Sequence, residues 1–163
     1  MTLITNLSGQ LDFILATSAG AQYKPIKLLL DSLATGVGLD QADVLYFKED
    51  VALSGSATNT LDFSGSVADE FNTTIAVVKV KVFYFHNKST TAGNTITLGG
   101  NANEMRFWSA AGTKTVGPNG RVLYWEPSLA GITVTATTGD ILNILNNTAN
   151  DVTYDICFVG TSS

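Results

Sequence analysis

The feature that most constrains the fold of this chain is a two-residue alternation of apolar and polar side chains in short segments. The clearest example is residues 132–137, in which Ile132, Val134 and Ala136 alternate with threonines. Alternate residues of an extended strand lie on opposite faces, so this segment has one apolar face and one threonine face. Residues 95–98 and 152–158 repeat the pattern between glycines and asparagines, which favour turns. The alternation predicts an all-β protein of antiparallel strands.

The strand-like segments recur at intervals near the roughly 8–12 residues that are typical of β-sandwiches. A chain of 163 residues is long enough for one hydrophobic core and short for two. We therefore expect an N-terminal arm over residues 1–10 and a single domain over residues 11–163, an antiparallel two-sheet sandwich of jelly-roll type. The predicted strands cover residues 11–17, 24–30, 44–53, 58–64, 75–85, 95–98, 106–108, 121–126, 132–137 and 152–158.

Two segments also fit a helix. Residues 67–71 follow Ser66, a suitable N-cap, but residues 72–74 (Asn-Thr-Thr) interrupt the pattern, so we expect at most one helical turn near 67–71. Residues 141–145 have helix-like apolar spacing, yet two asparagines follow at once and a stable helix needs more length. We favour a bulged strand there.

The segment 75–85 is the longest apolar stretch and becomes apolar on both faces toward its end. A strand of this kind is either central in a sheet or covered on its second face by another chain. Lys79 and Lys81 interrupt it, which leaves the stretch too short for a membrane helix. The N-terminus also lacks the basic region and cleavage site of a secretory signal, so we expect a soluble protein with no membrane partner.

Charge argues against nucleic acid as a partner. The formal net charge is −5, and the nearest approach to a basic patch is the pair Lys79 and Lys81. A groove that follows phosphates uses more positive side chains than this pair supplies. We interpret the two lysines as sheet-edge residues that discourage unwanted strand pairing.

The sequence offers little for catalysis. Cys157 is the only cysteine, which excludes an intramolecular disulfide and a thiolate cluster, and His86 is the only histidine, with no Gly-x-Ser-x-Gly motif. Glu49 and Asp50 are adjacent and would point to opposite faces of a strand. The Asn-rich segments 101–104 and 146–151 could supply oxygens to calcium, but asparagines are more often turn formers. We expect no enzyme activity, no cofactor and no metal.

The two tryptophans give the one positive indication of a site. Trp108 precedes a glycine-containing loop and Trp125 follows it, so the two could lie on the arms of a hairpin around residues 109–120. Tyr124 and Trp125 must face opposite ways on a strand, which leaves one of them for a partner. Such rings could anchor an interface or stack on a sugar. The alternative is that both tryptophans pack in the core by way of a bent strand.

Three stretches resemble a known group of proteins. They are Val44-Leu-Tyr-Phe-Lys-Glu-Asp-Val-Ala-Leu-Ser54 with the following residues 57–71, the valine-rich strand after them, and the ending Gly139-Asp-Ile-Leu-Asn-Ile-Leu-Asn146 with residues 152–160. From Leu11 onward the chain is similar to small all-β virion structural proteins of tailed bacteriophages. No catalytic or binding motif defines that group.

The resemblance implies a decoration or cement protein on the capsid exterior, made in the host cytoplasm, with the major capsid protein as partner. Because the burial of a domain of this size roughly balances its ordering entropy, we also expect a symmetric homo-oligomer, with a trimer favoured slightly over a dimer because trimers suit the threefold positions of an icosahedral shell. Leu3, Ile4 and Leu7 would then form an arm that orders on a neighbour, and Trp108 and Trp125 are the other candidate interface residues. The alternative is a carbohydrate- or receptor-binding β-sandwich module of the fibre, spike or lectin-like kind.

Overall fold

The computed structural model describes the backbone of residues 8–17 and 20–29, and describes residues 33–65, 67–68, 74–109, 112–126 and 131–163 together with their side chains. The described residues contain strands and turns and no helix. The strands are β1 (Ser8–Thr17), β2 (Gly20–Leu29), β3 (Ala34–Thr35), β4 (Gln41–Ala42), β5 (Val44–Leu53), β6 (Thr58–Asp62), β7 (Val67–Ala68), β8 (Thr74–Ile75), β9 (Lys79–Asn87), β10 (Ile96–Gly99), β11 (Thr113–Val116), β12 (Arg121–Trp125), β13 (Ile132–Thr133), β14 (Ile141–Asn146) and β15 (Val152–Thr161).

Two antiparallel sheets form the sandwich. The five-stranded sheet has the order β12-β9-β15-β5, with β13 also paired to β9, and the four-stranded sheet has the order β11-β10-β14-β6. Apart from β13, these sheets contain eight strands, which are β5, β6, β9, β10, β11, β12, β14 and β15. Numbered from one to eight along the chain, the strands of the first sheet have the order 1-8-3-6 and those of the second sheet have the order 2-7-4-5. This is the strand order of a jelly roll, so the expected fold class is confirmed.

The core lies between the two sheets and is built largely from aromatic rings. Phe158 of β15 stacks on Tyr46 of β5, with ring centroids 4.8 Å apart, and meets Phe63, which follows β6, at 4.7 Å. Phe83 of β9 meets Phe107 at 4.5 Å. The four-stranded sheet contributes aliphatic side chains that are completely buried: Ile96, Leu98, Leu142 and Ile144. One continuous core results, as the length of the chain predicts.

Several predicted strands differ from the observed ones. Residues 106–108 do not form a strand, because this segment turns inward and buries Phe107 between the sheets. Only Ile132–Thr133 of the segment 132–137 is a strand, since Thr137 adopts a left-handed conformation in a turn (φ 66°). Residues 141–146 form a strand, in regular register with β6 rather than bulged.

The segment expected to contain a helical turn begins instead with a strand. Val67 and Ala68 pair in antiparallel fashion with Ile75 and Thr74. Val67 is buried against the main core, which favours the extended conformation over a solvent-exposed turn. Residues 69–71 lie outside the described residues.

The prediction that residues 75–85 supply a central strand is confirmed for β9, which pairs with β12 and β13 on one side and β15 on the other. The interpretation of Lys79 and Lys81 as edge residues is therefore wrong. Val159 pairs with Val82 and Gly160 with Val80, so Lys81 is the extra residue of a bulge. Its side chain is only 1% exposed, and its ammonium donates to the Gly38 carbonyl.

Two buried asparagines close neighbouring loops at one end of the sandwich. The Asn87 amide donates to the carbonyls of Asn94, Val116 and Gly117, at 3.0–3.2 Å. The Asn146 amide does the same for the carbonyls of Leu53, Ser54 and Asn150, at 2.8–3.2 Å. These bonds satisfy backbone acceptors that the strand ends would otherwise leave buried without a donor.

Strands β1 and β2 form a separate two-stranded hairpin with an unbroken register from Ser8↔Leu29 to Thr17↔Gly20. The first strand includes Ser8–Gln10, which the sequence analysis assigned to the arm. Leu3, Ile4 and Leu7 lie outside the described residues.

Candidate interaction surface

The outer face of the four-stranded sheet is polar. Threonines and asparagines bond across it: Thr97 lies 3.3 Å from Thr115, and Thr60 donates to Asn143 at 2.9 Å. Asn147 adds a bond to Thr97 at 2.8 Å. On β14 the outward residues are Ile141, Asn143 and Leu145, so two of the three are apolar, and both are half-buried. The threonines and asparagines of this face hydrogen-bond to one another across the strands.

The outer face of the five-stranded sheet contains an apolar row. One row of side chains crosses all four main strands, because Leu123 pairs with Tyr84, Tyr84 with Cys157, and Cys157 with Phe47. Their strand neighbours, such as Phe83 and Phe158, face the core, so this row faces outward. We call Leu123, Tyr84, Cys157, Phe47 and the adjacent Leu45 the outer stripe. Leu123 is 44% exposed and Leu45 is 40% exposed, and the other three are half-buried.

The row on one side of the outer stripe is covered by the protein itself. Leu33 and Ala42 pack on Val82 and Val159, with Trp125 and Cys157 at the border of this cluster. The bond from Lys81 to the Gly38 carbonyl fastens the segment 33–42 in place. Among the described residues this cover reaches Trp125 and Cys157, while Leu45, which pairs with Val159 in the same row, is 40% exposed.

The row on the other side is polar and ion-paired. His86 Nδ1 lies 3.4 Å from Asp155, and its Nε2 lies 3.0 Å from the Asn119 side-chain oxygen. Lys88 contacts both Asp50 and Asp155. Burial alone would raise the pKa of the Asp155 carboxyl. The hydrogen bond from the Asp50 N–H and the interactions with Lys88 and His86 lower this pKa by more, so it lies below its usual value. The outer stripe is therefore bounded by a covered row and a charged row.

This arrangement places a cysteine, a histidine and a carboxylate on one face, but it does not activate the thiol. Burial raises the pKa of Cys157 to about 11, the opposite of what a nucleophilic cysteine needs. Both ring nitrogens of His86 already have partners. The described part of the chain holds no group of three or more histidine, cysteine, aspartate or glutamate side chains placed to bind a metal ion.

Trp108 lies away from the outer stripe, in the segment that joins β10 to β11 of the four-stranded sheet. Its Nε1 donates to the Gly112 carbonyl at 3.0 Å, and its ring centroid lies 5.4 Å from that of Phe107. The ring is half-buried against the main core. Trp125 lies on the opposite side of the five-stranded sheet from Tyr124, which packs on the main core. The two tryptophans are therefore not the arms of one hairpin, since β11 pairs with β10 and β12 with β9.

Glu104 is a buried carboxyl in the same loop region, 2% exposed. It accepts a hydrogen bond from the Gly100 N–H, and its Oε1 has no partner among the described residues. Gly99 leaves space for this carboxyl, because a Cβ at that position would lie 2.0 Å from Oε1. Its φ of 97° is also a conformation that residues with a side chain rarely adopt. Burial raises the pKa of Glu104 above its usual value. Asn101 accepts the N–H of Asn103, which is the turn-forming role expected for this segment.

The sequence analysis missed most of the outer stripe. It named Trp125, which borders the stripe, but not Leu45, Phe47, Tyr84 or Leu123. A signal was available: residues 44–47 and 122–125 are apolar at every position, which places apolar side chains on both faces of β5 and β12.

Within the part of the chain that the structure describes, no helix has the length and apolar character needed to cross a bilayer. Comparisons with protein-family models, with curated proteins and with solved structures found no match. The function is therefore argued from the surface itself.

Proposed function

We propose that the protein is a non-enzymatic structural component of a tailed-phage virion, which decorates or cements the capsid exterior as a homo-oligomer. The observation that carries the proposal is the outer stripe, an apolar row that crosses four strands beside a charged row, with Leu45 and Leu123 exposed. Soluble monomers rarely leave contiguous apolar surface of this kind exposed, and such patches mark contacts with other proteins. The stripe thus supports an assembly function.

Two further properties are in keeping with this location. The net charge of −5 suits the outside of a DNA-filled shell better than its inside. The sequence also resembles small all-β virion proteins along most of its length. The jelly roll itself does not choose between functions, because capsid proteins and lectins both use it.

The structure gives no specific support to the carbohydrate-binding alternative. A sugar-stacking tryptophan presents an open ring face, whereas Trp108 is half-buried and hydrogen-bonded to Gly112. We therefore propose one function only.

Quantitative mass spectrometry of purified virions tests the proposal. We expect the protein in a fixed ratio to the major capsid protein, and we expect added protein to rebind to shells that lack it. Leu123→Asp, which places a charge in the outer stripe, should abolish rebinding because assembled copies bind through several sites at once. Thr115→Asp, on the polar outer face, is the matched control and should rebind normally. Complete particles that contain none of the protein would refute the proposal.

A further inference from the structure

The ladder between β10 and β11 ends at the carboxyl group of Glu104. Gly99 and Thr113 form the last register pair of these two strands. The next N–H, that of Gly100, donates to Glu104 Oε2 rather than to β11. Glu104 is 2% exposed, so this carboxyl is removed from water. It therefore caps the ladder in place of a strand partner.

The second carboxyl oxygen of Glu104 faces another acceptor. A Cβ built on Gly99 would lie 2.0 Å from Glu104 Oε1 and 2.5 Å from the Gly112 carbonyl oxygen, so these two oxygens are separated by at most the sum of the two distances. Oε1 is buried and accepts no hydrogen bond from the described residues. The Gly112 carbonyl accepts the Trp108 Nε1–H at 3.0 Å and has a second lone pair. Two buried acceptors this close are unfavourable unless a donor lies between them.

No charged side chain among the described residues neutralises this carboxyl. The neighbouring segments 99–101 and 108–112 contain no titratable side chain. Arg106, two residues along the chain, and Lys114 of β11 are exposed, and neither forms an ion pair with Glu104. Asp140, which precedes β14, accepts hydrogen bonds from its own neighbours. The donor that fits between the two oxygens is therefore a proton on the carboxyl itself.

We propose that Glu104 is a pH-sensitive latch, in which the protonated carboxyl donates from Oε1 to the Gly112 carbonyl and loss of the proton releases Gly112 and Trp108 from the core. The neutral acid presents an acceptor to Gly100 and a donor to Gly112, as an amide would. Ionisation removes the donor and leaves a negative charge beside a carbonyl oxygen in a buried site, which is unfavourable. Trp108 then loses its bond to Gly112 and becomes an exposed aromatic ring.

Burial acts in the direction that the latch requires. It raises the pKa of Glu104 above its usual value, although the N–H groups of Gly100, Asn101 and Trp108 lower this pKa in part. The proton is therefore released at a higher pH than from an exposed glutamate. The latch is closed in acid and opens as the pH rises through this pKa.

Tryptophan fluorescence between pH 4 and pH 8 tests the latch in the full-length protein with Trp125→Phe, which makes Trp108 the only tryptophan. We expect the emission maximum to shift to longer wavelength, and quenching by acrylamide to increase, as the pH rises. Glu104→Gln in the same background is the matched control, because its amide keeps both hydrogen bonds and should hold the emission of the acid form at every pH. Glu104→Ala lacks both bonds and should show the released emission even in acid.

Two fluorescence results would overturn the latch. One is the same pH-dependent shift in Glu104→Gln, which would assign the titration to another group. The other is a constant emission across the range when Glu104 is present.

Infrared difference spectra between wild type and Glu104→Gln do not depend on the Trp125 substitution. They should contain the C=O stretch of a neutral carboxylic acid at low pH and lose it as the pH rises. A carboxylate signal at every pH would contradict the proposal.

Discussion

The two outer faces of the sandwich meet the surroundings in different ways. The four-stranded sheet presents threonines and asparagines that bond to one another across its strands, such as Thr60 with Asn143. The five-stranded sheet presents leucine, phenylalanine, tyrosine and cysteine in the same kind of row, with Leu123 at 44% exposure. Both sheets share one core, so the difference does not arise from the needs of folding.

This contrast supports the proposal that another protein molecule contacts the outer stripe. A sheet face that meets only water can be made of threonine at little cost to stability, as the four-stranded sheet demonstrates. The five-stranded sheet keeps apolar side chains on a face that the described loop residues cover only near Trp125 and Cys157. Exposed apolar surface of this kind is characteristic of sites that contact other proteins, as the proposed function requires.

The largest expected effect compares the two sides of a single strand. Leu53 and Leu45 are both on β5, but Leu53 is 1% exposed and Leu45 is 40% exposed. Leu53→Ala should lower the free energy of unfolding by about 2–5 kcal/mol, because it leaves a cavity in the core. Leu45→Ala should lower that of the dissociated chain by about 1 kcal/mol or less. Denaturant titration at low protein concentration measures both, and equal losses would show that Leu45 belongs to the core.

A second pair makes the same comparison on β14 with polar side chains. Asn146→Ala removes the donor to three carbonyls and should cost about 1–3 kcal/mol, since buried acceptors are left unpaired. Asn143→Ala, on the polar outer face, loses one exposed bond from Thr60 and should cost about 0.5 kcal/mol. Thermal denaturation of the two variants measures the difference. A larger cost for Asn143→Ala would contradict the assignment of the faces.

The pH dependence of Glu104 should follow from its raised pKa. A carboxyl whose pKa is higher in the folded state contributes stability below its unfolded pKa, near 4.5, and loses that contribution as the pH rises through the folded value. Glu104→Gln keeps a neutral group at this site. The variant should therefore gain stability relative to wild type as the pH rises from 4 to 7, measured by melting temperature. A constant difference would contradict burial as the dominant influence on Glu104.

Asp155, at the charged border of the outer stripe, should show the opposite sign. Its pKa is lowered in the folded state, so its contribution is present above the unfolded value of 3.8 and is lost as the pH falls through the folded value. Asp155→Asn should be less stable than wild type at neutral pH and approach wild type in acid. The effect should be the smallest of the four, because Lys88 and Asp50 are partly exposed to solvent. Melting curves across this range in low salt test the sign.

Alternation along the chain was sufficient to predict the fold class and most strands, including the bounds of β5. It works because a half-buried strand must place apolar and polar side chains on opposite faces. It failed at residues 106–108, where burial of Phe107 rather than strand pairing determines the backbone. It also failed at Lys81, because a bulge depends on the register between β9 and β15, which are far apart in the sequence.

The candidate surface was only partly predictable for a related reason. Apolar residues on both faces of β5, β9 and β12 are visible in the sequence, but the row Leu123, Tyr84, Cys157 and Phe47 exists only once strand order and register are known. A single aromatic residue such as Trp108 can be identified from the sequence alone. The outer stripe cannot, because it is a property of four paired strands together.

Sedimentation equilibrium of wild type and Leu123→Asp tests the central claim, that the outer stripe is a contact between protein molecules, most directly. We expect wild type and the control Thr115→Asp to associate reversibly, and Leu123→Asp to sediment as a folded monomer, because an aspartate would be buried unpaired in the contact. A wild-type protein that stays monomeric at every concentration, or a Leu123→Asp variant that associates as strongly as wild type, would contradict the claim.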